Sequence, residues 1–285
     1  MGGRLDGKVA IVTGASRGIG RAMVLGLARE GAKVVVAAKS VKERRALPGT
    51  IHSVAEEVRS LGGEALAIRV DVQRDDDVRA MAAEVEERFG RVDVLVNNAG
   101  ALWWKDLLHT PLSRFDLVMG VNARAAFACT QAVLPLMLRG RGGHVVVCSP
   151  PIDLTALPGR IAYLMSKFGM TMLAHGLAEE LRGQGVAVNA LWPVTLIESQ
   201  ATINYKLGGP RVWRKADILA DALLELVTTE PSDITGRALL DEDFLRERGF
   251  TDFARYRCDP AHEPPRLAAG DLPEAGRVPL GRSGA

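Results

Sequence analysis

Short runs that are apolar at nearly every position alternate along this chain with longer segments whose apolar residues recur every three or four places. An unbroken apolar run is a strand covered on both faces, and the longer period is a helix with one buried stripe. The runs fall at residues 8–13, 33–38, 65–70, 92–96, 144–148, 186–192 and 237–240. A helical pattern follows the first run, through Glu30, and others fall at 51–61, 75–89, 113–138, 162–182 and 216–227. In the segment 75–89, Val78, Met81, Ala82, Val85 and Phe89 share one face. Strand and helix in alternation predict parallel strands joined by right-handed crossovers. The pattern thus predicts an α/β fold, a doubly wound seven-stranded parallel sheet with helices on both faces, as a single domain over residues 1–258. Residues 41–50 are basic, carry Pro48-Gly49 and read as a loop. Residues 259–285, rich in Pro, Gly and Arg, predict a tail that is mobile or laid on a partner subunit.

The candidate chemistry collects where the predicted strands end. Gly14-Ala15-Ser16-Arg17-Gly18-Ile19-Gly20 joins the first strand to the first helix. Glycines let a backbone approach a pyrophosphate, and a helix N-terminus offers free N–H groups. A merely structural turn is the alternative. At the end of the second strand stand Ala38, Lys39 and Ser40, with no acid to accept from a ribose 2′-hydroxyl. Lys39 and Arg17 suit a 2′-phosphate, so NADP(H) is expected over NAD(H). Ordinary solvated charges are the plainer reading. Asp71, beside Val72, accepts from an adenine amino group or merely caps the next helix. After the fourth strand, Asn97 and Asn98 have amides able to brace the sheet, and Ala99-Gly100 leaves room for a flat ring. Pro193 and Thr195 open a loop at the same edge. Trp103 and Trp104 cannot both point into one core, so one lines an apolar substrate pocket or packs on a neighbouring helix or subunit.

Tyr163 and Lys167 lie one helical turn apart. A free phenol has a pKa of about 10, and an ammonium within about 4–6 Å lowers it by roughly 1–3 units. Lys167 is therefore expected to bring Tyr163 towards neutrality as a general acid or base.

Composition narrows the choice of partners. Lys plus Arg is 36 and Asp plus Glu is 34, a net charge of +2, so no basic excess argues for nucleic acid. No apolar run approaches 18 residues, so no membrane span is expected. Cys129, Cys148 and Cys258 are widely spaced and read as free thiols in a reducing, cytoplasmic setting. Five histidines without ligand spacing make a metal site unexpected.

Thr13-Gly14-x-x-x-Gly18-x-Gly20, Asn97-Asn98-Ala99-Gly100, Asn122 and Tyr163-x-x-x-Lys167, in this order, resemble the short-chain dehydrogenase/reductase family. The resemblance spans residues 8–241. It implies a Rossmann-type sheet with a nicotinamide dinucleotide across its carboxyl edge and Tyr163 as acid/base. It also implies that Lys167 holds the ribose, that Asn122 anchors a relay water, and that two or four copies pair through the helices 113–138 and 162–182. Further stretches, Ser149-Pro150-Pro151 among them, resemble a subgroup whose reductase domain precedes a sterol-carrier domain. These 285 residues are not expected to hold that second domain.

The family's serine, thirteen residues before the tyrosine, falls at Pro150, which has no hydroxyl. Ser149 is the expected substitute, with Asp153 and Thr155 behind it. The usual Pro-Gly after the sixth strand is Pro193-Val194. The expected function is NADP(H)-dependent interconversion of an alcohol and a carbonyl on a lipophilic small molecule. A cofactor-loaded scaffold is the alternative that Pro150 leaves open.

Overall fold

The computed structural model describes residues 2–45, 47–154 and 158–267. Seven parallel strands form one sheet: β1 (Val9–Thr13), β2 (Lys33–Ala38), β3 (Ala65–Arg69), β4 (Val94–Asn97), β5 (Gly143–Val147), β6 (Val186–Trp192) and β9 (Ala238–Leu240). Their order is β3-β2-β1-β4-β5-β6-β9. This is the doubly wound sheet that the sequence predicts. Its direction of winding reverses between β1 and β4, where a crevice opens at the carboxyl ends. The central strands are buried at every position of VAIVT in β1 and VLVN in β4, as strands covered on both faces must be.

One face of the sheet carries α1 (Gly18–Arg29), α2 (Ile51–Ser60), α8 (Asp217–Val227) and α9 (Asp241–Glu247). The other carries α3 (Asp75–Phe89), α5 (Ala125–Arg139) and α6 (Ile161–Glu180). Local signals fix these helices. Thr50 and Ser53 form a reciprocal capping box at the start of α2. Asp75, Asp76 and Asp77 sit at the positive end of α3, and Gly90 ends that helix in the left-handed conformation at φ +70°.

The predicted helix 113–138 is interrupted. It is α4 (Leu112–Met119), then a π-turn at Gly120–Arg124, then α5. The cause is Asn122, whose side chain leaves the helix to bond the backbone of Ala101. The combined helix Leu112–Arg139 has the length and apolar composition of a membrane span. Here Ala125, Ala126, Cys129, Val133, Leu136 and Met137 are spent on the core against the sheet.

The predicted loop 195–213 also has structure. β7 (Leu196–Ile197) pairs in parallel with β8 (Trp213–Arg214), and α7 (Gln200–Asn204) lies between them, capped reciprocally by Ser199 and Thr202. Residues 259–267, read from the sequence as the start of a tail, lie against the domain: Arg266 pairs with Asp243 at 2.7 Å, and Leu267 N–H donates to the Val194 carbonyl at 2.7 Å. The rest of that expected tail, and Thr155, lie outside the described residues.

Candidate active site

β1 runs into Gly14, whose φ of +66° favours glycine. A Cβ there would come within 2.8 Å of Ala99 Cα, and one on Gly20 within 2.5 Å of Asn98 Nδ2. The bare turn lets β1, β4 and the start of α1 close on one another. Asn98 locks the junction, its Nδ2 donating to the carbonyls of Thr13 (2.9 Å) and Gly14 (3.3 Å). The Thr13 hydroxyl accepts from the N–H groups of Asn98 and Ala99, each at 3.1 Å.

No side chain caps the first turn of α1, so the terminus that includes Gly18, Ile19 and Gly20 keeps N–H groups for an anion. Ser16 is buried beside it. Across the edge, Thr195 is 1% exposed and its hydroxyl has no partner among the described residues. An uncapped helix behind a glycine turn, with an orphaned hydroxyl after β6, fits a dinucleotide laid across the strand ends.

At the end of β2, Arg17 donates to Ser40 Oγ (3.0 Å) and to the carbonyls of Pro48 (2.9 Å) and Gly49 (3.0 Å). Burial lowers its pKa from the ordinary value. The guanidinium thus pins the 47–49 loop and still stands over the strand end. Lys39 lies there too, 4.0 Å from Asp71. Asp71 Oδ1 accepts from Gln73 N–H in a turn ahead of α3, and it does not cap that helix, whose N-cap position, Arg74, has no side-chain cap bond.

Tyr163 is 8% exposed and Lys167 4% exposed, both on α6. The ordinary expectation for the pair is reversed. Burial, together with the Cys148 thiol, pushes the Tyr163 phenol well above its usual value. Burial likewise brings Lys167 down to about 8. Spacing alone could not reveal this, because desolvation outweighs the neighbour's charge. Lys167 Nζ donates to the Cys148 carbonyl at 2.7 Å and stands 5.3 Å over the Trp192 ring. A Cβ on Gly100 would lie 3.6 Å from Asn122 Oδ1 and 3.7 Å from Lys167 Nζ, so these three residues share one spot. Asn122 is fully buried, accepts from Ala101 N–H (2.7 Å) and donates to Ser166 Oγ (2.8 Å). Ser166 in turn donates to the Tyr163 carbonyl at 2.6 Å.

Ser149 is not brought to Tyr163. Its hydroxyl is fully buried and hydrogen-bonded to Thr171 Oγ1 at 2.8 Å; Thr171 donates its one proton to the Pro150 carbonyl at 2.7 Å and so accepts from Ser149. Thr171 is eight residues beyond Tyr163, about 12 Å along the helix. The prolines do not turn Ser149 inward; they leave it facing the middle of α6. Ser149→Ala is expected to keep kcat close to wild type, as a steady-state assay checks. A donor at the reacting oxygen would cost about 10²–10³-fold.

Apolar residues wall the tyrosine. Trp104, Leu164, Leu196, Leu207 and Trp213 form one buried cluster with it, and Leu102, Trp192 and Leu267 pack against them. The Trp104 and Tyr163 rings meet edgewise, 6.2 Å apart. Trp103 is outside that cluster, beneath Arg114 at 4.8 Å.

One residue that sequence reading missed is Asp241, at the carboxyl end of β9. Its Oδ1 accepts from Val194 N–H at 2.9 Å, while Leu267 N–H holds the Val194 carbonyl. Both backbone groups between Pro193 and Thr195 are thereby fixed. Burial raises the Asp241 carboxyl to about 7. Its signal in the sequence was an acid at a strand's carboxyl end, the edge where the other site residues lie.

Comparison with known proteins agrees with this geometry. The family model for short-chain dehydrogenases matches residues 8–206. Human hydroxysteroid dehydrogenase-like protein 2 is 39% identical over 279 residues, 96% of this chain and 66% of that protein. The chain therefore spans just under two thirds of that relative's length. The crystal structure of a short-chain dehydrogenase from Mycobacterium thermoresistibile is 40% identical, with a TM-score of 0.86 over 99% of this chain and 100% of that one. A metagenomic short-chain oxidoreductase crystallised with NADP is 31% identical, with a TM-score of 0.71 over 83% of this chain and 97% of that one. The chain belongs to the short-chain dehydrogenase/reductase family, oxidoreductases that act on CH–OH groups with NAD(P).

Proposed function

We propose that this protein is a cytoplasmic, NADP(H)-dependent oxidoreductase that interconverts an alcohol and a carbonyl on a lipophilic small molecule. The observation that carries the proposal is a buried phenol, Tyr163, set in an apolar wall one turn from Lys167 at the carboxyl edge of a doubly wound sheet. The glycine turn, the uncapped start of α1, Gly100 and Thr195 would hold the dinucleotide. When bound, its nicotinamide supplies or accepts the hydride. Tyr163 keeps its proton until charge builds on the substrate oxygen, then gives it up. Lys167, with its positive charge, offsets the phenolate left behind. The Asn122–Ser166 pair fixes the first turns of α6, which holds the tyrosine in place.

Arg17 and Lys39, with no acidic residue ending β2 itself and the neighbouring Asp71 carboxylate set against Lys39, favour the 2′-phosphate of NADP(H). A charge-assisted hydrogen bond contributes about 1.5–3 kcal/mol. NADPH is therefore expected to bind at least about tenfold more tightly than NADH, since 1.4 kcal/mol is a factor of ten. The assay is oxidation of NADPH and NADH against aliphatic, terpenoid and steroid carbonyls. Turnover of none of them, or equal use of the two nucleotides, would count against the proposal.

The copies are proposed to pair through α5 and α6, which leave Phe127 and Met172 more than half exposed. The Ser149 and Pro150 arrangement favours one other reading, a cofactor-loaded scaffold. That reading predicts NADPH binding without turnover in the same assay.

A further inference from the structure

Carbonyl reduction puts negative charge on the substrate oxygen, and a preorganised donor at that oxygen is one of the largest contributions a site makes. The hydroxyl expected to do this is missing. Position 150 is Pro150, and Ser149 is turned to Thr171. Yet the wall around Tyr163 contains a donor with nothing to bond. Trp104 is 8% exposed, and its Nε1 is buried without a partner among the described residues. An unpaired buried N–H costs about 1–3 kcal/mol and calls for an explanation.

The location supplies one. The Trp104 ring stands edge-on to Tyr163 with centroids 6.2 Å apart, and both belong to one apolar cluster. Arg160 lies 5.6 Å above the indole, which places positive potential beside the ring. Trp103 Nε1 is also unpaired, but Trp103 is not part of the cluster around Tyr163. The sequence left the two tryptophans open between lining a substrate pocket and packing on a helix or subunit; of the two, Trp104 packs against Tyr163.

We propose that the Trp104 indole N–H is the second hydrogen-bond donor to the substrate carbonyl oxygen, in the place the family gives to a serine. This rests on the oxidoreductase reading above. The carbonyl carbon gains the hydride and its oxygen gains the Tyr163 proton, while solvent returns a proton to the phenolate. The indole keeps its own proton throughout and forms no covalent bond. It holds the oxygen while that charge is greatest. Because indole donates but cannot accept, the arrangement favours a carbonyl or alkoxide oxygen at this point and gives no partner to a second donor.

The test removes the N–H while keeping the ring. Trp104→Phe does so with a smaller ring, and 3-benzothienylalanine at position 104 does so at nearly constant shape. Both are expected to lower kcat on the best carbonyl of the aliphatic, terpenoid and steroid panel by about 10²-fold, with a smaller change in KM. NADPH affinity is expected to stay near wild type; the melting temperature should hold or rise for the benzothienyl variant, which removes the unpaired donor, and fall for Trp104→Phe, which leaves a cavity. In protein labelled with ¹⁵N at the tryptophan indoles, the Trp104 proton should move downfield when that carbonyl joins the NADP⁺-loaded protein. A benzothienyl variant with wild-type kcat, or an indole resonance that does not move, overturns the inference. If Tyr163→Phe abolishes turnover in those cases, the oxidoreductase reading survives alone. If wild type turns over no carbonyl, both fall.

Discussion

Tyr163→Phe is expected to lower carbonyl reduction by about 10²–10⁴-fold, the span for loss of a general acid. The ring remains, so the apolar cluster around it and the edge contact with Trp104 should persist. NADPH affinity and melting temperature should therefore be unchanged, and steady-state kinetics beside a fluorescence titration separate the two. Retained turnover would remove Tyr163 from the chemistry. The pH dependence of the wild type follows from the same burial. A phenol pushed upward stays protonated across neutrality, so reduction should be flat there. Lys167, brought down to about 8, loses its charge above that pH, and reduction should decline with it.

Arg214→Met is expected to be the most damaging change outside the chemistry. Arg214 is 1% exposed and pairs with Glu242, which is nearly as deeply buried, and with Glu263 at 2.5 Å. Arg246 and Arg266 complete the set around Glu242. Breaking a buried ion pair by removing one partner costs about 3–5 kcal/mol, and the lower end applies here because Glu242 keeps Arg246 and Arg266. At about 2–4 °C per kcal/mol for a domain of this size, the melting temperature should fall by roughly 10 °C. Glu263 lies in the segment that ends on Val194, so NADPH affinity should fall as well. A melting temperature within about 2 °C of wild type would show that the pair contributes little.

Much of the architecture was legible because parallel strands covered on both faces leave an unmistakable trace. Residues 186–192 were read as a strand and form β6, and 75–89 were read as a helix and form α3. The interruption at Asn122 was not legible, because its cause is a bond to Ala101, twenty-one positions away. Nor were β7 and β8, since two-residue strands carry no period and exist only as partners. In the site, Tyr163 and Lys167 announced themselves by spacing, which records which face of a helix a residue occupies, the glycine turn by its place between a strand and a helix, and Asn122 only through the resemblance to the family. The aim of the Ser149 hydroxyl and the direction of the Tyr163 shift did not. Both depend on what surrounds an atom in space, and a short motif does not encode that.

The two hydrogen bonds on Val194 also set an order of events. A nascent chain completes its first strands and helices early, and such units fold as they emerge. The loop after β6 cannot settle then, because the Val194 amide waits for Asp241 and its carbonyl for Leu267, synthesised 47 and 73 residues later. Asp241 and Leu267 thus tie the loop after β6 late, and it reaches its final form only once translation has passed residue 267.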